Sequence, residues 1–293
     1  MSHPTTRWDG TLTALSSIAH GGETRGTITL LRRELVITPD GRAVHVPVVS
    51  GNTLRGRLRR VGEELLRDAL GYEGHLHPAA AHALRGGGSL AKTSHEPLSG
   101  NRLQHLRALV PQIAVFGAAG GGTIIDGALD VGKAVPHVAE TTHITGAATT
   151  GSAFAATQLE AYTRQDDLAS HDAGDLVPAA PDVELVLDNT GRPDVRPTGT
   201  SRQMLFNLET FPAGTVFSTW LRLRRPTDLE LAFFTDVLAT YATDARLGGR
   251  IATGHGHVRV DLTATPVSGP TVDWRHACVD RRDEVLTALD GLA

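Results

Sequence analysis

The stretch VPVVSGNTLRGRLRR at residues 46–60 constrains the fold of this chain more than any other. Val44, Val46 and Val48 alternate as in a half-buried strand, and Ser50-Gly51-Asn52-Thr53 then turns the chain into a helix. Leu54, Leu58, Val61 and Leu65 recur at the spacing of a helix laid on a core. Asn52, Arg55 and Arg59 share a neighbouring face, beside a helix start whose free backbone N–H groups attract anions. Ser50, Asn52 or Thr53 each carries a side chain able to cap that start. Small polar residues, a helix N-terminus and a row of guanidiniums together suit a phosphate chain. A solvated arginine-rich helix has the same pattern, and this stretch alone leaves the choice open.

A polyanion site on this protein has to be local. The formal net charge of the 293 residues is -4, which argues against a uniformly basic coat. Lys92 and Lys133 are the only lysines, so the cations are almost all arginine, suited to planar phosphate and base contacts. With 40% hydrophobic and 20% charged residues the chain reads as a globular protein able to bury a sizeable core. The single Cys278 excludes a disulfide framework and any cysteine-based zinc site within the chain. No signal-peptide core or run of transmembrane length is present, so a cytoplasmic protein with no membrane partner is expected.

Taken in order, residues 10–18 read as a strand closed by His20-Gly21-Gly22, and residues 27–38 as an extended stretch ending in the turn signal Pro39-Asp40-Gly41. The strand at 44–49 follows, and then the arginine helix to about Leu70. Residues 71–99, rich in Gly, His and Ala, read as a helical insertion; a short helix is expected over 103–110, ended by Pro111. Residues 146–200 carry Gly, Ser, Thr, Asp and four prolines and one expected strand at 183–187; they read as a protruding arm. Residues 215–223 alternate, Thr227 and Glu230 form a capping box, and Leu231, Phe234, Leu238 and Tyr241 stripe the helix behind it. A last strand holds Val258, Val260 and Leu262, and 280–289 reads as a closing helix. Two strand–helix–strand units separated by insertions point to an α+β, ferredoxin-like core, whose sheet is the one RNA-recognition modules use.

Three segments in this order resemble the RAMP superfamily, the repeat-associated RNA-binding proteins of CRISPR systems. They are TLTALSSIAHGGET (11–24), VPVVSGNTLRGRLRR, and FPAGTVFSTWLRL followed by a helix and LGGRIATGHGHVRV. The second is similar to the family's Pro-Gly-Ser-Ser-Leu-(Arg/Lys)-Gly-x-(Leu/Met)-Arg motif, and the third to its C-terminal glycine-rich loop. Ser-Gly-Asn in place of Gly-Ser-Ser, with RALVPQIAVFG at 107–117, most resembles the large backbone subunit of type IV effector complexes. The resemblance implies a single RAMP domain over 1–293: an RRM-like palm, helical fingers at 71–112 and a thumb at 146–203. It implies a non-enzymatic subunit that coats a crRNA guide in head-to-tail copies, beside other CRISPR effector subunits, and presents the guide for pairing with target nucleic acid. Carried onto this sequence, Ser50, Gly51, Asn52, Arg55 and Arg59 line the guide backbone, with His20, Gly21, Gly22 and Arg32 beside them. Gly248, Gly249, Arg250 and His255 form the second edge of the channel, and Arg202, Gln203 and Met204 stand where the thumb returns.

Other motifs carry less. FGAAGGGT has Thr123 where a Walker loop requires lysine, and Gly254-His255-Gly256 lacks the third glycine of a dinucleotide fingerprint. His75, His77 and His82 could be drawn as a metal cluster, but no carboxylate or thiol completes it, so neither metal nor cofactor is expected. No nucleophile elbow is present, and Cys278 reads as packing. Two departures from the family pattern matter. RNA-cutting type III backbone subunits carry an aspartate where residues 26–36 have only Glu34, and His255 stands where an aromatic is common. An alternative within the superfamily is a metal-independent endoribonuclease processing the guide precursor, with His20 as general acid or base. A small-molecule enzyme or oligomer with an arginine-rich surface is the third reading.

Overall fold

Strand alternation and helical stripes build a central sheet covered on one face by helices, a second four-stranded sheet and three two-stranded ribbons among the described residues. The computed structural model describes residues 3–88, 100–120, 123–149, 151–164, 184–187, 193–196, 204–266, 269 and 271–292. The chain opens with β1 (Thr6–Ala14), which buries Trp8, Leu12 and Ala14 on one face. β2 (Gly21–Arg25), β3 (Ile28–Leu31), β4 (Arg33–Ile37), β5 (Ala43–Pro47) and α1 (Gly51–Leu70) follow. The β4–β5 hairpin turns at Gly41, whose φ of +83° suits a residue without a β-carbon, and Thr38 N–H donates to Arg42 O at 2.9 Å. α1 ends at the left-handed Gly71, as the apolar stripe predicts.

Helices α2 (Pro78–Gly86), α3 (Gly100–Leu109) and α4 (Pro111–Phe116) come next, Pro111 starting α4 as well as ending α3. Short strands β6 (Ala118–Gly120), β7 (Thr123–Ile125), β8 (Leu129–Val131) and β9 (Val135–Pro136) lead to the one-turn α5 (Thr142–Thr145). Then come β10 (Gln158–Arg164), β11 (Glu184–Leu187), β12 (Pro193–Arg196), β13 (Met204–Thr210) and β14 (Val216–Leu223). α6 (Asp228–Thr243), β15 (Val258–Thr265), α7 (Trp274–Val279) and α8 (Arg282–Asp290) complete the described chain. The capping box that starts α6 is formed in both directions, Glu230 N–H to Thr227 Oγ1 at 3.2 Å and Thr227 N–H to Glu230 Oε2 at 2.9 Å.

The central sheet is antiparallel in the order β15-β1-β14-β8, with β9 also on β14. β1 and β8 lie on either side of β14, with α1 between them in sequence; α6 carries the chain from β14 to β15 across β1. Both helices cover the same face, where Leu54, Leu58, Phe234 and Val237 join Leu12, Phe217 and Leu221 in one core. Trp8 and Phe116 meet Phe234 edge-on, with ring centroids 5.1 and 6.3 Å apart. A second sheet runs β10-β13-β3-β2, with β13 and β3 parallel. A small separate core of Val36, Val46, Val138 and Ala153 seats the β4–β5 hairpin.

Several expectations shift. β1 starts at Thr6 rather than Gly10 and ends at Ala14, because the next peptides pair with the glycine loop: Leu15 and Ser16 N–H both donate to His257 O. The stretch expected over 27–38 is broken at Arg32, whose N–H goes to His20 O and whose carbonyl accepts from Val48. Within the expected arm, Ala153 is buried and β10 is paired along β13. Pro193–Arg196 adds a strand opposite Glu184–Leu187, and the rest of 165–203 lies outside the described residues. Two helices rather than one close the described chain. No helix among the described residues is long and apolar enough to cross a membrane.

The start of α1 depends on a missing side chain. A β-carbon on Gly51 would stand 2.6 Å from Val131 O and 2.9 Å from Gly132 O, so only glycine lets α1 begin against β8. Gly51→Ala is expected to destabilise the protein by about 2 kcal/mol, read as a lower midpoint in urea unfolding.

Candidate nucleic-acid interface

The segment Ser17–Ala19–His20 is the crossing point of the three sequence motifs. Gly256 N–H donates to Ser17 O at 2.8 Å, and Gly249 N–H to Ala19 O at 2.7 Å, so the glycine loop is zipped onto the chain leaving β1. The zip needs Gly248 (φ +87°), where a β-carbon would lie 2.4 Å from Ala19 O. One residue on, His20 Nε2 accepts the Ser50 N–H at 3.2 Å, tying the same segment to the start of α1. Burial, and then the charge of Arg32, hold the His20 imidazole below its ordinary value, which keeps Nε2 free to accept. Gly22 passes over Arg32, where a β-carbon would meet the Arg32 Cα at 2.6 Å.

Ser50 occupies the N-cap position of α1 without a side-chain cap; its Oγ lies 3.0 Å from Thr53 Oγ1. Asn52 is exposed in the first turn. Arg32 is exposed and makes no ion pair among the described residues. It lines an open groove of about 770 Å³ with Gly22, Arg25, Leu30, Arg33 and His45. In that groove Arg25 is paired with Glu23 at 2.7 Å and Arg33 with Glu209, which leaves Arg32 as its unmatched cation.

Three residues expected at the channel have their side chains occupied within the protein. The guanidiniums of Arg55 and Arg59 face backbone carbonyls. Arg55 donates to Leu129 O and, at 2.9 Å, to Phe116 O; Arg59, 9% exposed, donates to Gly117 O at 2.7 Å and to Phe116 O. The Phe116 and Gly117 carbonyls end α4 and have no partner within the helix, so a cation there completes them. Burial, and then the charge of Arg55, lower the Arg59 guanidinium to about 10, still cationic at neutral pH. His255, expected on the channel edge, is also inside. It is 2% exposed, with Nδ1 2.9 Å from Ser17 Oγ and Nε2 2.6 Å from Tyr162 Oη. Arg202 and Gln203 lie outside the described residues, and Met204 opens β13 opposite Arg164.

Sequence reasoning missed Tyr162, Phe206 and Glu160. They share one face of the β10–β13 pair, in register as Tyr162–Phe206 and Glu160–Leu208. The rings stack with centroids 5.5 Å apart at 17°, and Arg250 lies over both, at 4.9 Å from Phe206 and 5.9 Å from Tyr162. Burial by itself would raise the Glu160 carboxyl, but hydrogen bonds from Thr210, Tyr162, Gln158 and Ser17 hold it at about 2. The alternation of QLEAYTR and MLFNLET was the available signal, hidden by the polar, proline-rich chain between them.

Other candidates are structural. His77 caps α2 by accepting the Ala79 N–H at 3.2 Å, and among the described residues no three His, Cys, Asp or Glu side chains form a metal-ligand set. Cys278 is buried, which pushes its thiol up to about 11.

No known family model matches the chain, and no curated protein does. Among solved structures it is similar to a chain of a Type IV-B CRISPR Complex, at 33% identity and a TM-score of 0.63 over 94% of this chain and 98% of that one. The protein is therefore a component of a CRISPR effector. The chain belongs to the family of type IV CRISPR complex subunits.

Two expectations follow from the geometry. Arg59→Ala leaves Gly117 O without its donor and Phe116 O with Arg55 alone, and is expected to cost about 3 kcal/mol in urea unfolding, far more than a surface arginine would. The lowered His20 value means that the folded state favours the neutral ring, so its contribution is fully present above the ordinary value of 6.5 and is lost as pH falls below it. His20→Gln keeps an acceptor without a titration, so its thermal midpoint should drop less than that of the wild type between about pH 7 and pH 5.

Proposed function

We propose that this subunit is the RNA-binding backbone of its CRISPR effector, coating a crRNA guide in head-to-tail copies and presenting it for pairing without cutting the target. In this reading the β15-β1-β14-β8 sheet, with its two crossover helices, is the ferredoxin-like palm of a RAMP protein. Residues 71–112 are its fingers and residues 146–203 its thumb. Other copies of this chain, and other subunits of the type IV complex, are its protein partners.

The observation that carries the reading is the convergence at Ser17–His20. Strand–turn–helix, histidine–glycine turn and glycine loop are far apart in sequence, yet share hydrogen bonds at one crossing. On either side of it stand the exposed cations Arg32 and Arg250, neither in an ion pair among the described residues, and the exposed Asn52. Backbone N–H groups, glycines and unmatched arginines make a surface for a phosphodiester chain. The interface differs from the sequence expectation in its division of labour. Arg55, Arg59 and His255 hold the channel together from inside, and the contacts fall to Asn52, Arg32, Arg250 and the glycine backbone.

Absence of target cutting is supported by Glu34, the only acid in residues 26–36, whose carboxylate accepts from Lys133 Nζ at 2.6 Å. The processing-enzyme alternative is less well supported, because the His20 Nε2 it would use is occupied by the Ser50 amide.

Purified full-length protein is expected to retain host RNA, seen as a raised ratio of absorbance at 260 to 280 nm and as an RNase-sensitive band on a gel. Arg32→Ala should leave urea unfolding unchanged and reduce the slope of log affinity against log salt by about 1. Protein that carries no RNA and binds none in low salt would overturn the reading.

A further inference from the structure

Arg250 is held in an unusual way for a residue whose task is only to supply charge. Its backbone lies in the left-handed region, at φ +54° and ψ +35°, which disfavours a β-carbon and is ordinarily given to glycine. Its side chain is exposed and has no carboxylate partner among the described residues, while its guanidinium carbon stands over both rings of the Tyr162–Phe206 stack. Its neighbours leave room. Gly249 has only Ala19 O near a would-be β-carbon, at 3.8 Å, and Gly254 has nothing within 4 Å.

The platform is fixed from below. Tyr162 Oη is 2.6 Å from both Glu160 Oε2 and His255 Nε2, and His255 Nδ1 is 2.9 Å from Ser17 Oγ. Thr210 Oγ1 donates to Glu160 Oε1 at 2.6 Å. One hydrogen-bonded chain therefore joins the ring under Arg250, the loop that carries Arg250, and the crossing point beside α1. Gly256, next to His255, is pinned to Leu247 and Ser17 by its own peptide.

We propose that Arg250, backed by the Tyr162–Phe206 pair, is a stacking platform for a single unpaired RNA base, and that buried His255 is the positioning residue that holds it in place. The inference rests on the RNA-binding reading above and adds the chemical group the site takes. A phosphate needs only a cation, for which an aromatic support is superfluous. A base gains from the exposed face of a guanidinium backed by rings, and such stacking tolerates any base. The platform stands where β10 leaves for, and β13 returns from, residues 165–203.

The test uses full-length protein and an oligouridine carrying one 2-aminopurine, moved along the strand position by position. Wild type should change the probe's fluorescence strongly at restricted positions. Arg250→Lys keeps the charge on an exposed side chain, so the salt slope and thermal midpoint should stay unchanged while the fluorescence signature disappears and affinity falls about tenfold. Phe206→Leu should do the same. Tyr162→Phe keeps the ring but cuts the link to His255, and should blur the positional pattern without changing the salt slope. If Arg250→Lys and Phe206→Leu reproduce the wild-type signature, Arg250 is a simple charge and the proposal falls while RNA binding stands. If the wild type binds no RNA, the functional reading fails and this proposal with it.

Discussion

Arg59 sets α1 against the rest of the chain. Taking a guanidinium out of water costs several kcal/mol, and among the described residues no carboxylate is paired with this one. What offsets the cost is the end of α4, whose last carbonyls point at it, with Arg55 completing the set through Phe116 O and Leu129 O. Charge-assisted bonds of about 2 kcal/mol each roughly balance the desolvation. The network therefore adds little net stability but fixes register, because sliding α1 by one residue would strand a buried cation. Gln112 locks the same junction from the other side, donating to Arg59 O at 2.8 Å and Leu84 O at 3.0 Å.

Everything at the proposed interface inherits that register. With α1 fixed, Ser50 presents its amide to His20 and Gly51 rests on the Val131 and Gly132 carbonyls. His20 continues from Ala19, on which the glycine loop is zipped, so the loop position follows from the helix position. His255 then carries the constraint into the second sheet through Tyr162. Two buried polar junctions, one around Arg59 and one around His255, thus connect α1, the glycine loop and the second sheet.

What the sequence made legible follows from local rules. The alternation of β14 placed Phe217, Leu221 and Leu223 inward, the Thr227–Glu230 box started α6, and Gly71 ended α1. The order of the three motifs also pointed to the CRISPR family. The direction of Arg55 and Arg59 was not legible, because a helix with one apolar stripe leaves the adjoining face ambiguous. α1 has a second buried stripe, Arg59, Gly62, Glu63 and Leu66, facing α2 and α4. Its one local hint was Gly62, where a β-carbon would meet Gln112, Phe233 and Phe116 at 3.2 Å or less. His255 was illegible for another reason: its partners Ser17 and Tyr162 come from distant strands, and no spacing encodes such a meeting.

The balance of matched and unmatched charge gives the surface its polarity. The open face of the central sheet carries a groove of about 770 Å³ containing Arg7, Lys133 and Trp220, which at first sight is as good an anion site as any. Its cations are already neutralised: Arg7 by Asp9 at 2.7 Å, Lys133 by Glu34 at 2.6 Å, and the adjoining Arg222 by Asp130 at 2.9 Å. A polyanion gains free energy by releasing its condensed counterions to bulk when cations that lack a partner take their place, and it would have to break those pairs to gain any here. Arg32 and Arg250 require no such exchange. On a chain of net charge -4, the proposed path of a phosphate chain therefore runs along the two arginines that have no ion pair among the described residues, beside the glycine-lined crossing, and not over the paired cations of the open face.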